Sequence, residues 1–374
     1  MLATLALVDP ITPDWLTAVL RQSGVLRQGT VTNVESEQIN AFNSATSRLF
    51  VQYSADATPE APTRLILKRN IATDRGSEDG ADEVQFYTLV STLPDHPGII
   101  VPCYAAVYDE ASGDSYLLLR DLSATHRPPL TREQQIGLVE NVPSAADLAA
   151  VVEALARLHA YWWEHPLLET DRFIIGYWSR TRDRFEQYLQ RRTTSWKRLM
   201  AQEGGWFPDE LRALYERVLA RLPQHWERYL EPRFRARQRL TLIHGDAYFA
   251  NFLCPKPPAS GPTYILDWQS PEFEIGGYDL ANLCAPFWTP EQRHEDQREV
   301  ATLRRYHAAL QAHGVNDYAW DDLVTDYQTG LIFWLLMPVQ DGADGSRKDY
   351  WWPKMQCLVA AFRDWRCEEV LDAV

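Results

Sequence analysis

The sequence predicts an α+β protein with a small, mostly-β amino-terminal lobe and a larger, mostly-α carboxy-terminal lobe. Short runs of β-type residues, each bounded by Pro, Gly, Asp or Ser, occupy most of residues 31–122. Amphipathic helical patterns dominate after the proline-rich connector at residues 127–129. A length of 374 residues also exceeds one minimal domain. We therefore predict two lobes, residues 1–122 and residues 123–374.

The amino-terminal lobe is predicted to begin with a short helix. Residues 12–14, Thr-Pro-Asp, supply an N-cap, a proline at the first helical position and an early acid, and Gly24 ends the amphipathic stretch. One further helix is expected near residues 82–93, where the apolar period changes from two to about 3.6. Strands are predicted at residues 49–53, 65–67, 101–108 and 116–119.

The carboxy-terminal lobe is predicted to contain helices around one short β segment. Residues 144–147, Ser-Ala-Ala-Asp, form a capping box that opens an amphipathic helix with a stripe from Leu148 to Trp162. A second helix is expected to start at Pro208. The β segment spans residues 240–268, and the remainder of the chain is expected to be helical.

Composition excludes several classes of function. The net charge of −14 disfavours nucleic acid and anionic membranes as partners, because both bind a positive surface. Five cysteines without a CxxC pair indicate neither a disulfide framework nor a metal cluster. The first residues lack a basic segment, and the longest later apolar run, residues 331–339, is too short to span a bilayer. We expect a cytoplasmic enzyme without a membrane anchor.

The strongest chemical signal is the segment HGDAYFAN at residues 244–251, which follows an apolar strand-like run. Phosphoryl transfer needs a carboxylate to orient and deprotonate the attacking hydroxyl, and oxygen ligands for Mg²⁺. Asp246 suits the first role. Asn251 and the later Asp267 offer the amide and carboxylate oxygens that Mg²⁺ prefers. The alternative is that the Asp and Asn merely stabilise turns.

This spacing resembles the catalytic and metal-binding loops of protein kinases. Gly245 stands where those kinases have arginine, and residues 268–269, Trp-Gln, replace Phe-Gly. With these departures and the later Tyr-Asp-Leu-Ala at residues 278–281, the chain resembles the aminoglycoside phosphotransferase, choline kinase and ecdysteroid kinase-like family. The resemblance runs over residues 31–279. It implies a protein-kinase-like fold, ATP and Mg²⁺ as cofactors, and phosphorylation of a hydroxyl group on a small molecule.

The resemblance also implies a lysine that binds the nucleotide phosphates and a glutamate that holds it. Lys68 ends a strand-like run, and Glu83 lies in the predicted helix. Glu83 shares one helical face with Phe86, Tyr87 and Val90, so its side chain is expected to point inward with them. The alternatives are a solvated strand end for Lys68 and a surface acid for Glu83.

A turn that covers the phosphates is expected between the first two strands of such a fold. Residues 41–44, Ala-Phe-Asn-Ser, resemble a degenerate form of the family's Gly-Phe-x-Ser, but residues 43–47 contain no glycine. Hydroxyl and backbone N–H groups there remain candidates for phosphate binding, and a plain polar hairpin turn is the alternative. The candidate residues are Ser44, Thr46 and Ser47.

Further roles follow from the resemblance. The backbone of Arg120, Asp121 and Leu122 is expected to bind the adenine ring, so the identity of Arg120 should matter little. His244 and Asp279 are expected to support the catalytic loop, with the Asp279 carboxylate accepting hydrogen bonds from its backbone.

The acceptor is less well defined by the sequence. Aromatic faces with carboxylates would suit a cationic amine or a choline-like head group, although most of the 14 tryptophans must lie in the core. A nucleotide-binding pseudokinase that acts as an interaction module is the alternative function. A protein kinase is disfavoured because no segment like the Ala-Pro-Glu of protein kinases follows Asp267. The sequence indicates no oligomeric state. The acceptor-site candidates are Glu272, Glu274, Trp288, Asp341, Trp351 and Trp352.

Overall fold

The computed structural model of the protein describes residues 2–7, 9–39, 44–71, 73–93, 95–137, 142–169, 181–257 and 259–373. The chain forms two compact units. The first comprises Met1–Arg127 and Pro255–Ser270, and the second comprises Pro128–Cys254 and Pro271–Val374. The segment that carries Asp267 therefore belongs to the first unit, so the compact units are not continuous in sequence as the predicted lobes are.

The secondary structure confirms the predicted division into a strand-rich first part and a helical second part. The strands are β1 (Val31–Ile39), β2 (Ser44–Tyr53), β3 (Arg64–Asn70), β4 (Cys103–Tyr108), β5 (Ser115–Arg120), β6 (His126–Arg127), β7 (Thr241–Ile243), β8 (Phe252–Pro255), β9 (Tyr264–Ile265) and β10 (Glu272–Glu274). The longer helices are α1 (Pro13–Gln22), α2 (Asp74–Val90), α4 (Ala145–Trp162), α5 (Arg182–Glu203), α6 (Asp209–His225), α8 (Gly277–Cys284), α10 (Arg298–Ala312), α11 (Trp320–Leu335) and α13 (Lys348–Asp364). The shorter helices are α3 (Arg132–Ile136), α7 (Glu231–Ala236), α9 (Pro290–His294), α12 (Met337–Ala343) and α14 (Cys367–Asp372).

The first unit is built on an antiparallel five-stranded sheet in the order β1-β2-β3-β5-β4. Three of the four predicted strands lie within β2, β3 and β5, and the strand predicted at residues 101–108 begins two residues before β4. Strand β1 lies where a strand is expected before the predicted turn, but its bounds were not predicted, because most of its side chains are polar and partly or fully exposed and it has little apolar alternation.

Helix α1 begins as predicted and covers one face of this sheet. The Thr12 side chain accepts a hydrogen bond from the backbone N–H of Trp15 at 3.2 Å. Leu16 and Val19 of the helix join the core formed by alternate residues of the strands, and each buried aliphatic side chain contributes about 1.5–3 kcal/mol. The strand residues of this core include Leu49, Val51, Leu65, Leu67 and Leu118.

The register of the sheet determines which side chains face away from the core that α1 covers. Ser47 pairs with Leu67 on the core face, whereas Thr46 pairs with Lys68, and Lys68 pairs with Leu117. Because side chains alternate along a strand, Lys68 and Thr46 share the face turned away from α1.

Helix α2 starts eight residues earlier than the sequence pattern indicated. Thr73 is its N-cap and accepts from the backbone N–H of Gly76 at 3.0 Å. Residues 74–81 are rich in aspartate and glycine, which are weak helix formers, so their pattern did not predict the first two turns. Phe86, Tyr87 and Val90 are buried as predicted.

The second unit is largely helical. Helix α4 begins at the predicted N-cap, where the Ser144 side chain accepts from the backbone N–H of Asp147 at 3.1 Å. Strands β7 and β10 pair antiparallel. Helices α8 and α11 approach closely: a Cβ on Gly330 would lie 2.6 Å from the carbonyl oxygen of Gly277, so the crossing requires glycine there. None of the five cysteines, all of which lie in the described ranges, forms a disulfide bond.

Among the helices in the described ranges, none combines the length and the apolarity that crossing a bilayer requires.

Candidate active site

Lys68 is held by two carboxylates in the first unit. Its ammonium lies 2.6 Å from Glu83 and 2.5 Å from Asp267, and only 14% of its side chain is exposed. The Glu83 carboxylate is almost fully buried on the face of α2 that the sequence predicted. The predicted contact between lysine and glutamate is therefore formed, and Asp267 joins it.

Glu83 also fixes the backbone next to Asp267. Its second carboxylate oxygen accepts a hydrogen bond from the N–H of Trp268 at 3.2 Å. The Trp268 ring stacks on Phe86, with ring centroids 3.9 Å apart. Asp267 has a φ of 68°, in the left-handed region that non-glycine residues seldom adopt and that occurs often at functional sites. One glutamate thus positions both the lysine and the predicted metal ligand.

These charges alter the protonation of the group. Burial alone would lower the pKa of Lys68, but the carboxylates of Asp267 and Glu83 raise it above its ordinary value, so the side chain is an ammonium. Burial raises the pKa of Glu83 and the charge of Lys68 opposes that rise. The arrangement provides a fixed positive charge of the kind that binds phosphate oxygens.

The predicted phosphate-binding residues lie beside Lys68 only in part. Ser44 and Thr46 share its face of the sheet, and their hydroxyl oxygens are 2.9 Å apart. Ser47 lies on the opposite face and is only 2% exposed, so we do not carry it into the proposed site. The predicted turn residues 41–43 lie outside the described residues.

The predicted adenine-binding segment is anchored by a cluster that sequence reasoning missed. The Asp121 carboxylate accepts from the Arg48 side chain at 2.9 Å, from the Arg64 side chain at 3.1 Å and from the Ser123 backbone at 2.8 Å. Burial alone would raise the pKa of Asp121, but these hydrogen bonds and the charge of Arg64 lower it. The side chain is committed to structure. The backbone is partly committed too, since the N–H groups of Arg120 and Asp121 donate to the carbonyls of Pro102 at 2.9 Å and of Arg64 at 3.3 Å.

In the second unit, the loop after β7 is held by the buried carboxylate of Asp279. One oxygen accepts from the backbone N–H of His244 at 2.7 Å and the other accepts from that of Gly245 at 2.9 Å. Gly245 has a φ of 79°, so a glycine is favoured where kinases have arginine. The predicted contact between Asp279 and the loop backbone is present, and it orients the residue that follows, Asp246.

Asp279 is itself held by a buried side-chain network. His159 of α4 lies 3.2 Å from the carboxylate through Nε2 and 2.6 Å from the Tyr306 hydroxyl through Nδ1. The Thr241 hydroxyl donates to the His159 carbonyl at 2.7 Å. The contribution of Tyr306 left no sequence signal.

Asn251 closes the same loop from its other end. Its amide nitrogen donates to the backbone oxygen of Asp246 at 2.8 Å and lies 3.3 Å from the Asp246 carboxylate. The N–H of Tyr248 also donates to the Asp246 carbonyl at 2.8 Å. Because the nitrogen of Asn251 is used within the loop, its amide oxygen is the atom suited to a cation. Asp246 itself is partly exposed.

The comparison with protein families decides the membership of this chain. The model of the phosphotransferase enzyme family (APH) matches residues 45–322, which is more than half of the chain. The chain belongs to this family. Membership supports a small-molecule phosphotransferase and confirms the resemblance drawn from the HGD segment. Comparison with curated protein sequences finds no match.

Solved structures confirm that this APH family member has a protein-kinase-like fold. It resembles the microcompartment-associated aminopropanol kinase at 15% identity with a TM-score of 0.52, over 91% of this chain and 93% of that one. A GDP complex of a point mutant of aminoglycoside 2′-phosphotransferase-IIIa matches at 12% identity and a TM-score of 0.50, over 96% and 98%. Amicoumacin kinase in complex with AMP-PNP and Ca²⁺ matches at 13% identity and 0.50, over 91% and 88%.

Most of the acceptor candidates in this phosphotransferase are interior residues. Glu272 and Glu274 are buried on β10, paired with β7, and each accepts from the N–H of the next residue. Trp288 is buried and stacks on Phe249, and Trp351 is buried beside Trp352. We do not carry the four buried side chains into the proposed acceptor site. Trp352 and Asp341 are partly exposed.

Asp341 has a partner that the sequence reasoning missed. The Lys354 ammonium lies 2.9 Å from its carboxylate and is buried in the second unit. A signal was present: Lys354 interrupts the apolar stripe of α13 that includes Trp351, Met355 and Leu358.

Proposed function

We propose that this phosphotransferase moves the γ-phosphoryl group of ATP to a hydroxyl group of a small molecule. The observation that carries the proposal is the buried ammonium of Lys68, fixed by Glu83 and by Asp267. Phosphoryl transfer depends on positioning and on neutralising phosphate charge, and a lysine held by a glutamate meets that requirement.

We assign the role of catalytic base to Asp246. Its carboxylate would orient the acceptor hydroxyl and take its proton as the oxygen bonds to the γ-phosphorus. The bond from the γ-phosphorus to the bridging oxygen breaks, and ADP leaves. Backbone hydrogen bonds to Asp279 and Asn251 hold the loop around Asp246, which reduces the reorganisation that the reaction requires.

The residues present suit Mg²⁺. Asn251 and Asp267 each offer an oxygen ligand, and bound Mg²⁺ would neutralise charge on the phosphates. In the described ranges no group of three or more His, Cys, Asp or Glu side chains is placed to hold a metal. Mg²⁺ commonly takes one or two protein carboxylates and completes its shell with phosphate oxygens and water, so a larger cluster of protein ligands is not required.

Nucleotide binding is assigned to groups of the first unit. Ser44 and Thr46 offer hydroxyl groups on the face of the sheet that bears Lys68. The backbone of residues 120–122 would bind the base. Solved structures with this fold contain AMP-PNP with Ca²⁺ in one case and GDP in another, so both ATP and GTP are candidate phosphoryl donors.

The acceptor is proposed to be a small hydroxyl compound. The aminopropanol kinase and the aminoglycoside phosphotransferase are named for acceptors of this kind. The positive charge on the acceptor that the sequence indicated remains a prediction.

The proposal is tested by turnover of ATP and of GTP with a panel of alcohols, followed for the wild type, Asp246→Asn and Lys68→Met. Asp246→Asn should lower kcat by at least about a hundredfold while nucleotide binding persists. Lys68→Met should raise the KM for nucleotide as well, because its charge contacts the phosphates. Chelation with EDTA should stop turnover, and added Mg²⁺ should restore it.

Two exposed residues provide matched controls. Asp109→Asn and Lys197→Met make the same chemical changes on exposed positions and should leave turnover unchanged. Wild-type rates in Asp246→Asn would remove this residue from the mechanism. Nucleotide binding without turnover of any acceptor would favour the pseudokinase instead.

A further inference from the structure

An aromatic cage in the second unit already contains a cation supplied by the protein. Lys354 of α13 is 2% exposed, and its ammonium bonds to Asp341 at 2.9 Å. Four rings surround the ammonium with centroids 5.4 to 5.9 Å away, within the range of cation–π attraction. The rings of this cage belong to Tyr248, Phe287, Trp334 and Tyr350.

The ammonium remains charged in this position. Lysine is rarely fully buried unless it is paired. Burial alone would lower the pKa of Lys354, but Tyr248, Asp341 and Tyr350 raise it above its ordinary value. The cage is therefore a cation site whose cation is part of the chain.

The cage adjoins the catalytic loop. Tyr248 forms one wall, and its backbone N–H donates to the carbonyl of Asp246 two residues earlier. Phe287 and Trp334 are buried, whereas Tyr248, Tyr350 and Asp341 are partly exposed. The exposed rim of the cage is thus made of two tyrosines and a carboxylate next to the proposed base.

We propose that Lys354 determines acceptor specificity: its ammonium fills the aromatic cage beside the catalytic loop, so that the acceptor is an uncharged alcohol and not an ammonium compound. The inference rests on the proposed function, because it takes Asp246 to mark the acceptor side. In this inference, the Lys354 ammonium occupies the place that the sequence pattern suggested for the cationic head group of an acceptor.

Charge accounts for this selectivity. A second ammonium brought to the rim would meet the positive charge of Lys354 at close range. The Asp341 carboxylate is already neutralised by that lysine, so it offers a second cation little compensation. An anionic acceptor would instead face the carboxylate of Asp246. An uncharged alcohol with an apolar body avoids both costs and still packs against the tyrosine rings.

The test compares choline with neohexyl alcohol, in which a quaternary carbon replaces the quaternary nitrogen. Binding of each compound to the full chain is measured by calorimetry, and phosphorylation of each is measured separately. The variant is Lys354→Met, which keeps the length of the side chain but removes its charge. The matched control is Lys348→Met, because Lys348 also lies over a ring, that of Trp206, but is exposed and outside the cage.

The wild type should bind neohexyl alcohol more tightly than choline. Lys354→Met should gain about tenfold or more in choline affinity, comparable to one strong cation–π contact, and Lys348→Met should follow the wild type. Tighter binding of choline by the wild type overturns the inference, and this comparison needs no variant. A folded Lys354→Met protein without a gain in choline binding overturns it equally.

The two proposals fail in different ways. If the binding order is as expected but no alcohol of the panel is phosphorylated by the wild type, the proposed function fails while the selectivity of the cage stands. If phosphorylation is observed and choline is the preferred acceptor, only the inference about Lys354 fails.

Discussion

Replacing Asp279 by asparagine tests how the catalytic loop is held. The carboxylate is fully buried and accepts one backbone N–H on each oxygen, from His244 and from Gly245. Asparagine has a single acceptor oxygen, so its amide nitrogen would face an N–H donor. A buried donor without an acceptor costs about 1–3 kcal/mol, and a bond to a charged acceptor contributes about 1.5–3 kcal/mol. We expect Asp279→Asn to lose about 2.5–6 kcal/mol of unfolding free energy.

The same change should also reduce turnover. Asp246 directly follows Gly245, and a displacement of reacting groups by about 1 Å can cost about a hundredfold in rate. Urea unfolding followed by circular dichroism measures the first effect, and ADP release under conditions where the variant is folded measures the second.

The control is Asp322→Asn, the same substitution at a half-exposed position. Asp322 pairs with Arg239 at 2.6 Å and accepts from the backbone N–H of Ala319 at 3.1 Å. Asparagine can keep the second bond through its amide oxygen, so the loss is that of a surface pair, about 0.2–1 kcal/mol. The reasoning is refuted if Asp279→Asn unfolds at the same urea concentration as Asp322→Asn and retains wild-type turnover.

Two further predictions concern other parts of the fold. Gly330→Ala should lose about 1–3 kcal/mol of unfolding free energy, because its Cβ would overlap the Gly277 carbonyl. Gly98→Ala is the control and should keep the wild-type stability, because the space around Gly98 is open. Equal urea midpoints for the two variants would contradict this prediction. Burial lowers the pKa of His225 from 6.5 to about 4, so between these values the unfolded chain binds the extra proton and stability falls as the pH falls. The loss should be about 2 kcal/mol between about pH 7 and about pH 5, and His225→Gln should remove it; an unchanged pH dependence would refute the assignment.

The order and type of the main elements were accessible from the sequence. Caps at Thr12 and Ser144 start helices where expected, because capping depends on a few neighbouring residues. Helix α2 extends beyond its predicted start since residues 74–81 carry weak helix formers. The partners of the site were accessible only in part. Glu83 was found through its position on an apolar helical face, whereas nothing local relates Arg48 to Asp121.

By itself, the sequence determined the residue types of the site and their spacing. The segment around Asp246 and Asn251, the later Asp267 and the inward face of Glu83 depend on neighbours a few positions away. Only the tertiary structure decided which groups contact them. The Lys68 ammonium lies on Asp267, 199 positions away in the chain, and Lys354 occupies a cage whose rings come from four separate segments. Such contacts depend on packing between segments that are distant in the sequence, so a local pattern of residues does not predict them.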